Sequence, residues 1–323
     1  MKNHDKRLFI QEVATRDGFQ NEAQFIETVD KIAMIDALSQ CGYAKIEVTS
    51  FTSPKAIAVL RDAEFVMQGI QRNPAVEYTV LVPNVRGAER ALACAIDEAN
   101  LVMSVSESHN RSNLRMTREQ SFAQLEEVFG VIGSGPVAIN VSLSTVFGCP
   151  MEGDVSADEV LGWVERFAQL GARGVTLCDT TGMAFPSQVE ALCATVRERF
   201  PELQLTLHFH NTRGMALANA LAAIDAGVER FDSSLGGLGG CPYAPGASGN
   251  VCTEDLVHML QLMGYTTGID LDQVLAASAR LPRLIGHEVP SQLLKAGRRL
   301  DLHPIPARVT NMLQQVPSAL LNV

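Results

Sequence analysis

Several features are missing from this chain, and each absence removes a class of function. There is no long basic run; the densest cluster, KAGRR at 295–299, is short, and the net charge of −10 argues against an extended nucleic-acid surface. The longest apolar stretches fall well short of the ~20 residues of a membrane-spanning helix. No CxxC pair marks a structural zinc site. MKNHDKRLFIQEV enters an apparent strand within about seven residues, so no secretory or transit segment is expected ahead of it. The seven cysteines are an odd number in a chain large enough not to need staples, which leads us to expect free thiols in a reducing, cytoplasmic compartment. The balance of 46% apolar and 19% charged residues over 323 positions suits one large globular domain with a tail, acting on a small molecule.

What is present is a rhythm. Short β-rich runs at 7–13, 44–50, 76–82, 100–106, 137–143, 174–179, 203–210 and 230–235 alternate with helical patterns such as 28–41, 156–170 and 213–227. Eight strand-helix units at roughly 30-residue spacing predict an α/β protein of the (β/α)8 TIM-barrel type, with a doubly wound open sheet as the alternative. Ser156-Ala-Asp-Glu159 reads as a capping box, and Gly171 as the glycine that closes the same helix. The glycine- and proline-rich stretch at 236–250 is too long for a passive connector. Beyond about residue 285 the rhythm stops, so we expect a catalytic barrel over 1–285 and a helical tail over 286–323 packing on it.

In such a barrel the polar residues at the C-terminal ends of strands face the catalytic mouth. That rule collects Arg16, Asp17 and Gln20 after the first strand, Glu47 at the second, Asp179 and Thr180 after the sixth, His208 and His210 at the seventh, and Cys241 and Asn250 in the glycine loop. Strand alternation puts His208 and His210 on one face ~6–7 Å apart. With Asp17 and Asn250 they make a two-nitrogen, two-oxygen set suited to Mg²⁺, Mn²⁺ or another divalent ion acting as a Lewis acid. Two histidines on a strand also serve as hydrogen-bonded barrel residues. Arg16 suits a substrate oxyanion or thioester carbonyl, or a simple carboxylate pair; Glu47 suits the site or a brace on Arg16. Asp179 and Thr180 suit substrate contact or loop anchoring, Cys241 a catalytic loop thiol or an inert one, and Asn211 and Arg213 the orientation of neighbouring loops. Cys149, with no base beside it, is read as structural.

The segments EVATRDGFQNE (12–22), IEVTSFTSPKAI (46–57), LVPNVRG (81–87), FGCPMEG (147–153), DTTGMAFP (179–186), HFHNTRGMALAN (208–219) and GGLGGCPYAPGASGNVCTEDLVHML (236–260) carry a resemblance. The chain resembles the 3-hydroxy-3-methylglutaryl-CoA lyases of the metal-dependent DRE-TIM barrel family up to about residue 285. The resemblance implies that Asp17, His208, His210 and Asn250 bind the divalent metal, that Arg16 contacts substrate near the thioester carbonyl, that His208 takes part in proton transfer, and that Cys241 acts from the loop. It gives Glu47 and Glu254 importance to the site, and Glu254, one helical turn beyond Asn250, is expected to brace that ligand. It also implies an acyl-CoA substrate, a homodimer, and a place in leucine degradation and ketone-body formation. Asn84, Arg86 and Lys55 are candidates for holding CoA, although no glycine-rich phosphate fingerprint marks the site.

Three departures stand out: Ala14-Thr15 replaces the usual Gly-Pro, HNTR replaces HDTY at 210–213, and SVSESHNRSNLRMT (104–117) differs at the mouth. The expected reaction is retro-Claisen cleavage of a tertiary β-hydroxy thioester, with a metal acidifying the C3 hydroxyl, Arg16 stabilising the enolate, and His208 and Cys241 moving protons. Alternatives are a lyase for a related branched 3-hydroxyacyl-CoA, an acetyl-CoA/2-keto acid condensing transferase, and a non-catalytic binding barrel.

Overall fold

The computed structural model describes residues 6–133, 135–240 and 249–314. Eight parallel strands close in chain order into one barrel: β1 (Phe9–Glu12), β2 (Lys45–Ser50), β3 (Glu77–Leu81), β4 (Glu98–Ser104), β5 (Ala138–Ser144), β6 (Gly174–Asp179), β7 (Gln204–Phe209) and β8 (Arg230–Ser233). All eight expected strands form, and the (β/α)8 architecture replaces the open-sheet alternative because β8 pairs with β1 from Phe9↔Arg230 to Glu12↔Ser233. Strand β4 lies two residues earlier than its apolar run suggested. Ser106 has left the strand to cap the helix Glu107–Leu114, its hydroxyl accepting from the His109 amide.

The strands divide the protein into two interiors. In β2, Ile46 and Val48 point outward into the apolar layer under the helices, while Lys45 and Glu47 point inward. The barrel lumen is polar: Gln11, Lys45, Glu47, Thr79, Glu98, Asn100, Asn140 and Thr176 line it, in place of the branched apolar layers common to the fold. At its floor Lys45 pairs with Glu98, and Arg173 with Glu77 and Glu98. The main core therefore sits between barrel and helices, where Leu8, Ile35, Tyr78, Phe167, Phe209 and Phe231 are fully buried. Burial of that layer is the dominant stabilising contribution.

Ser156 caps the helix Ala157–Gln169 by accepting from the Glu159 amide at 3.2 Å, but the reciprocal half of the expected box is absent; Glu159 pairs with Arg118 instead. Gly171, with φ +92°, closes that helix as expected. Helix Ala216–Asp225 starts three residues later than its pattern, after a turn at Gly214, with Asn211 Oδ1 accepting from the Ala216 amide at 3.2 Å. In the C-terminal segment, Val289 and Leu293 are buried and Ser291 N donates to Gly236 O at 3.2 Å, whereas Leu300, Leu302 and Ile305 are exposed. No helix among the described residues is long and apolar enough to cross a membrane.

Candidate active site

The site begins at the turn after β1. The amides of Arg16, Asp17 and Gly18 all converge on the Val13 carbonyl, at 3.1, 2.7 and 3.4 Å, giving a one-turn π-type widening that aims the Arg16 and Asp17 side chains together. Beneath it, Glu12 is fully buried and ties this turn to the loop after β8: its carboxylate accepts from the Ala14 amide, the Leu235 amide and the Thr253 hydroxyl, each at 2.9 Å.

Strands β7 and β8 supply the opposite wall. His208 and His210 stand with Nε2 atoms 3.2 Å apart, and His208 Nε2 lies 4.0 Å from Asp17 Oδ2. One ligand-type atom from each of Asp17, His208 and His210 falls within 4.8 Å of the others, so two imidazoles and a carboxylate could hold a metal ion. This donor set fits a divalent cation of the Mg²⁺ or Mn²⁺ kind. Asn250 enters from the far end of the glycine loop, and its Nδ2 donates to Asp17 Oδ2 at 2.7 Å and to Leu238 O at 2.8 Å. Its amide nitrogen thus faces the carboxylate, and metal ligation would use Oδ1 on the other branch.

The packing there admits no side chain. Gly239 has φ +98°, and a Cβ on it would sit 2.4 Å from Asn250 Nδ2 and 2.9 Å from Asp17 Oδ2.

Charge is concentrated and largely compensated. Burial alone would raise the Asp17 carboxyl, but Arg16, the two imidazoles and the Asn250 amide bring it down to about 2. Burial disfavours the charged form of both imidazoles. Asp232 and Asp17 outweigh it at His208, which is raised, whereas at His210 the adjacent His208 adds to it and lowers the ring to about 3. Two rings this close do not readily carry a positive charge at the same time. Arg16 is gripped twice, through Nε by Glu47 Oε2 at 2.5 Å and through Nη1 by Asp17 Oδ1 at 2.7 Å. Its Nη2 has no hydrogen-bond partner among the described residues.

The structure brings Arg16, Asp17, Glu47, His208, His210 and Asn250 together. It places others apart. Glu254 does not touch Asn250: the helix begins only at Thr253, and the buried Glu254 carboxylate turns to the Gly236 amide at 2.9 Å, the Cys252 thiol at 3.0 Å and the Ser278 hydroxyl. It fastens the root of the glycine loop and is not in contact with the cluster. Asp179 Oδ1 accepts from the Met183 and Ala184 amides at 2.7 and 3.0 Å, leaving buried Oδ2 without a hydrogen-bond partner among the described residues; burial raises this carboxyl to about 6. Thr180 Oγ1 accepts from the Thr145 amide at 2.9 Å, an anchor between neighbouring loops. Gln20 lies half-buried at the end of the Arg16 turn. Arg213 Nη1 donates to the Thr181 and Gly182 carbonyls, again a loop tie. Asn84 caps the helix Val85–Leu92 by accepting from the Gly87 amide. Cys149 accepts from Ser106 Oγ at 2.9 Å. Cys241 lies outside the described residues.

One residue escaped the sequence analysis. Asp232 on β8 faces His208 Nδ1 at 3.1 Å through Oδ2. The register His208↔Asp232 makes the two inward neighbours, and applying the period-2 rule to RFDSSL as it was applied to HFH would have found it.

A family model described as HMGL-like matches residues 7–281. A hydroxymethylglutaryl-CoA lyase of Bacillus subtilis (strain 168) is 45% identical over 292 residues, covering 90% of this chain and 98% of the relative. An (R)-citramalyl-CoA lyase of Chloroflexus aurantiacus is 39% identical over 298 residues, covering 89% and 94%. Among solved structures, an HMG-CoA lyase from Acinetobacter baumannii in complex with coenzyme A and 3-methylmalate superposes with a TM-score of 0.90 at 51% identity, covering 95% of this chain and all of that one.

Proposed function

Because the chain belongs to the HMGL-like family, we propose that it is a divalent-metal-dependent carbon–carbon lyase cleaving 3-hydroxy-3-methylglutaryl-CoA to acetyl-CoA and acetoacetate by a retro-Claisen reaction. The observation that carries this reading is the convergence of Asp17, His208 and His210 beside the Arg16 guanidinium.

In this reading Asp17, His208, His210 and Asn250 hold Mg²⁺ or Mn²⁺. When bound, such an ion supplies the positive charge that acidifies the C3 hydroxyl and holds the substrate carboxylate. Arg16 directs its free Nη2 at the thioester oxygen, where negative charge develops as the C2–C3 bond breaks; held by two carboxylates, it needs little reorganisation. His208 cannot offer one Nε2 lone pair to both an ion and a proton. We therefore give it the ligand role, with its proton kept at Nδ1 on Asp232. Glu47 and Asp17 orient the guanidinium, and Glu254 acts by holding the loop that carries Cys241, the proposed acid returning a proton to C2; the proton released from the C3 hydroxyl passes to solvent water, from which the Cys241 thiolate is reprotonated. Gln20 and Asp179 are assigned to substrate contact, Asp179 through its free Oδ2, and Thr180 to the loop beneath.

We further propose a catalytic barrel over 1–285 with a helical tail over 286–323, a homodimeric assembly, and a cytoplasmic location. The free, buried thiols of Cys41, Cys94, Cys149, Cys178, Cys193 and Cys252 suit such a reducing setting. A second reading, cleavage of a related branched 3-hydroxyacyl-CoA, is favoured by the similarity to the citramalyl-CoA lyase.

The test is mass-spectrometric product analysis of the Mn²⁺-supplemented protein with each thioester, beside His208→Ala. Acetyl-CoA and acetoacetate, lost in the variant, support the first reading. Turnover of citramalyl-CoA alone, with pyruvate in place of acetoacetate, supports the second.

A further inference from the structure

Below the cleft, the barrel lumen carries a run of side-chain amides to which the proposed reaction gives no task. Asn100 on β4 donates from Nδ2 to Glu47 Oε1 at 2.8 Å. Its Oδ1 accepts from Asn140 Nδ2 at 3.0 Å and from Ser142 Oγ at 2.9 Å, and Asn140 Nδ2 also donates to Thr176 Oγ1 at 2.9 Å. All five of these residues are buried.

This arrangement fixes the direction of the Asn100 amide. Two donors from β5 occupy its oxygen, so its NH₂ group is the branch presented to Glu47; the flipped amide would set oxygen against carboxylate and donor against donor. Glu47, itself only 3% exposed, needs that donor to remain an anion in the lumen. With Oε1 taken by Asn100, Oε2 is left for Arg16 Nε. The side-chain chain Thr176–Asn140–Asn100–Glu47–Arg16 thus runs unbroken from mid-lumen to the mouth.

We propose that Asn100 is a positioning residue for the reaction, setting through Glu47 the orientation in which Arg16 meets the substrate. The inference rests on the lyase reading above. Asn100 touches no substrate and needs none; what it contributes is a neutral donor at the one place where a second carboxylate would turn Glu47 away.

The variant that isolates this is Asn100→Asp, nearly isosteric but with an acceptor where the donor stood. Glu47 then faces a second carboxylate as well as Arg16 and Asp232, and only a shared proton between the two carboxylates restores the bond. At pH 8 we expect kcat to fall by about tenfold or more with KM little changed, because Arg16 acts on charge formed in the transition state. Activity should recover as the pH is lowered toward 6, and no such recovery is expected of wild type. Independently of turnover, the Arg16 Nε–H resonance, assigned by its loss in Arg16→Lys, should be protected from solvent exchange in wild type, exposed in Asn100→Asp at pH 8, and protected again at pH 6. Should Asn100→Asp not fold, Ser142→Ala removes one donor from Asn100 Oδ1 and, adding no titratable group, should lower kcat by a few-fold at both pH values with KM and thermal midpoint little changed and the Arg16 resonance less protected. An unchanged Arg16 resonance, or a pH-independent loss of activity that tracks lowered thermal stability, overturns the proposal. Failure of wild type to cleave either thioester would sink the lyase reading while the resonance still decides the role of Asn100.

Discussion

His208 Nδ1 and Asp232 Oδ2 lie 3.1 Å apart on adjacent strands, and this contact decides which nitrogen of His208 is left to face the cluster. An imidazole that donates Nδ1–H to a carboxylate presents Nε2 as its lone pair and becomes a better ligand. Asp232→Asn should therefore weaken Mn²⁺ binding by about 10–100-fold. Calorimetric titration of the chelator-treated variant checks this, and unchanged affinity would refute the role given to Asp232.

Arg16→Lys keeps one charge but cannot be held at Nε and Nη1 while offering a third edge. We expect kcat to drop about 10²–10³-fold, with the thermal midpoint nearly preserved. Steady-state kinetics beside thermal denaturation separates the two; a loss confined to KM would place Arg16 in ground-state binding.

Glu12 predicts a pH effect on stability away from the metal ligands. Burial raises its carboxyl from 4.5 to about 7, against the lowering effect of its hydrogen bonds. The fold therefore favours the protonated form: this contribution is fully present below about pH 4.5 and is lost as the pH rises through about 7. Glu12→Gln keeps the acceptor for the two amides and does not titrate. Relative to wild type it should gain stability between pH 5 and pH 8, by at most about 3 kcal/mol. Chemical denaturation at both pH values measures the difference, and a pH-independent difference contradicts the assignment.

Gly239→Ala introduces a Cβ into the space held by Asn250 Nδ2 and Asp17 Oδ2, at a φ of +98°. The expected outcome is loss of the thermal stabilisation that Mn²⁺ gives wild type, because Asp17 is pushed from its place. Undiminished stabilisation would mean that the glycine loop yields more easily than its packing indicates.

The barrel was readable because strands buried on both faces make short apolar runs whose ends carry the polar residues. The site was readable where two residues share one strand, as His208 and His210 do. It was harder where the chain alone gives no distance: Asn250 meets Asp17 across 233 positions, and Asp232 is a lone acid between Phe231 and Ser233. Glu254 was misjudged because helical spacing was extended back to Asn250, before the helix starts at Thr253. The polar lumen was hidden for a similar reason. Asn100 and Asn140 look like ordinary strand polar residues until the register Asn100↔Asn140 places them side by side.

The proposed cleavage requires that this cluster bind the ion the chemistry needs. The most direct measurement strips the protein with a chelator and titrates Mn²⁺ back, following bound ion by electron paramagnetic resonance and cleavage of 3-hydroxy-3-methylglutaryl-CoA in the same samples. One ion per chain, with rate rising in step with occupancy and both lost in Asp17→Asn, is the predicted result. Full activity in the stripped protein, or full occupancy without turnover of any branched 3-hydroxyacyl-CoA, would contradict it.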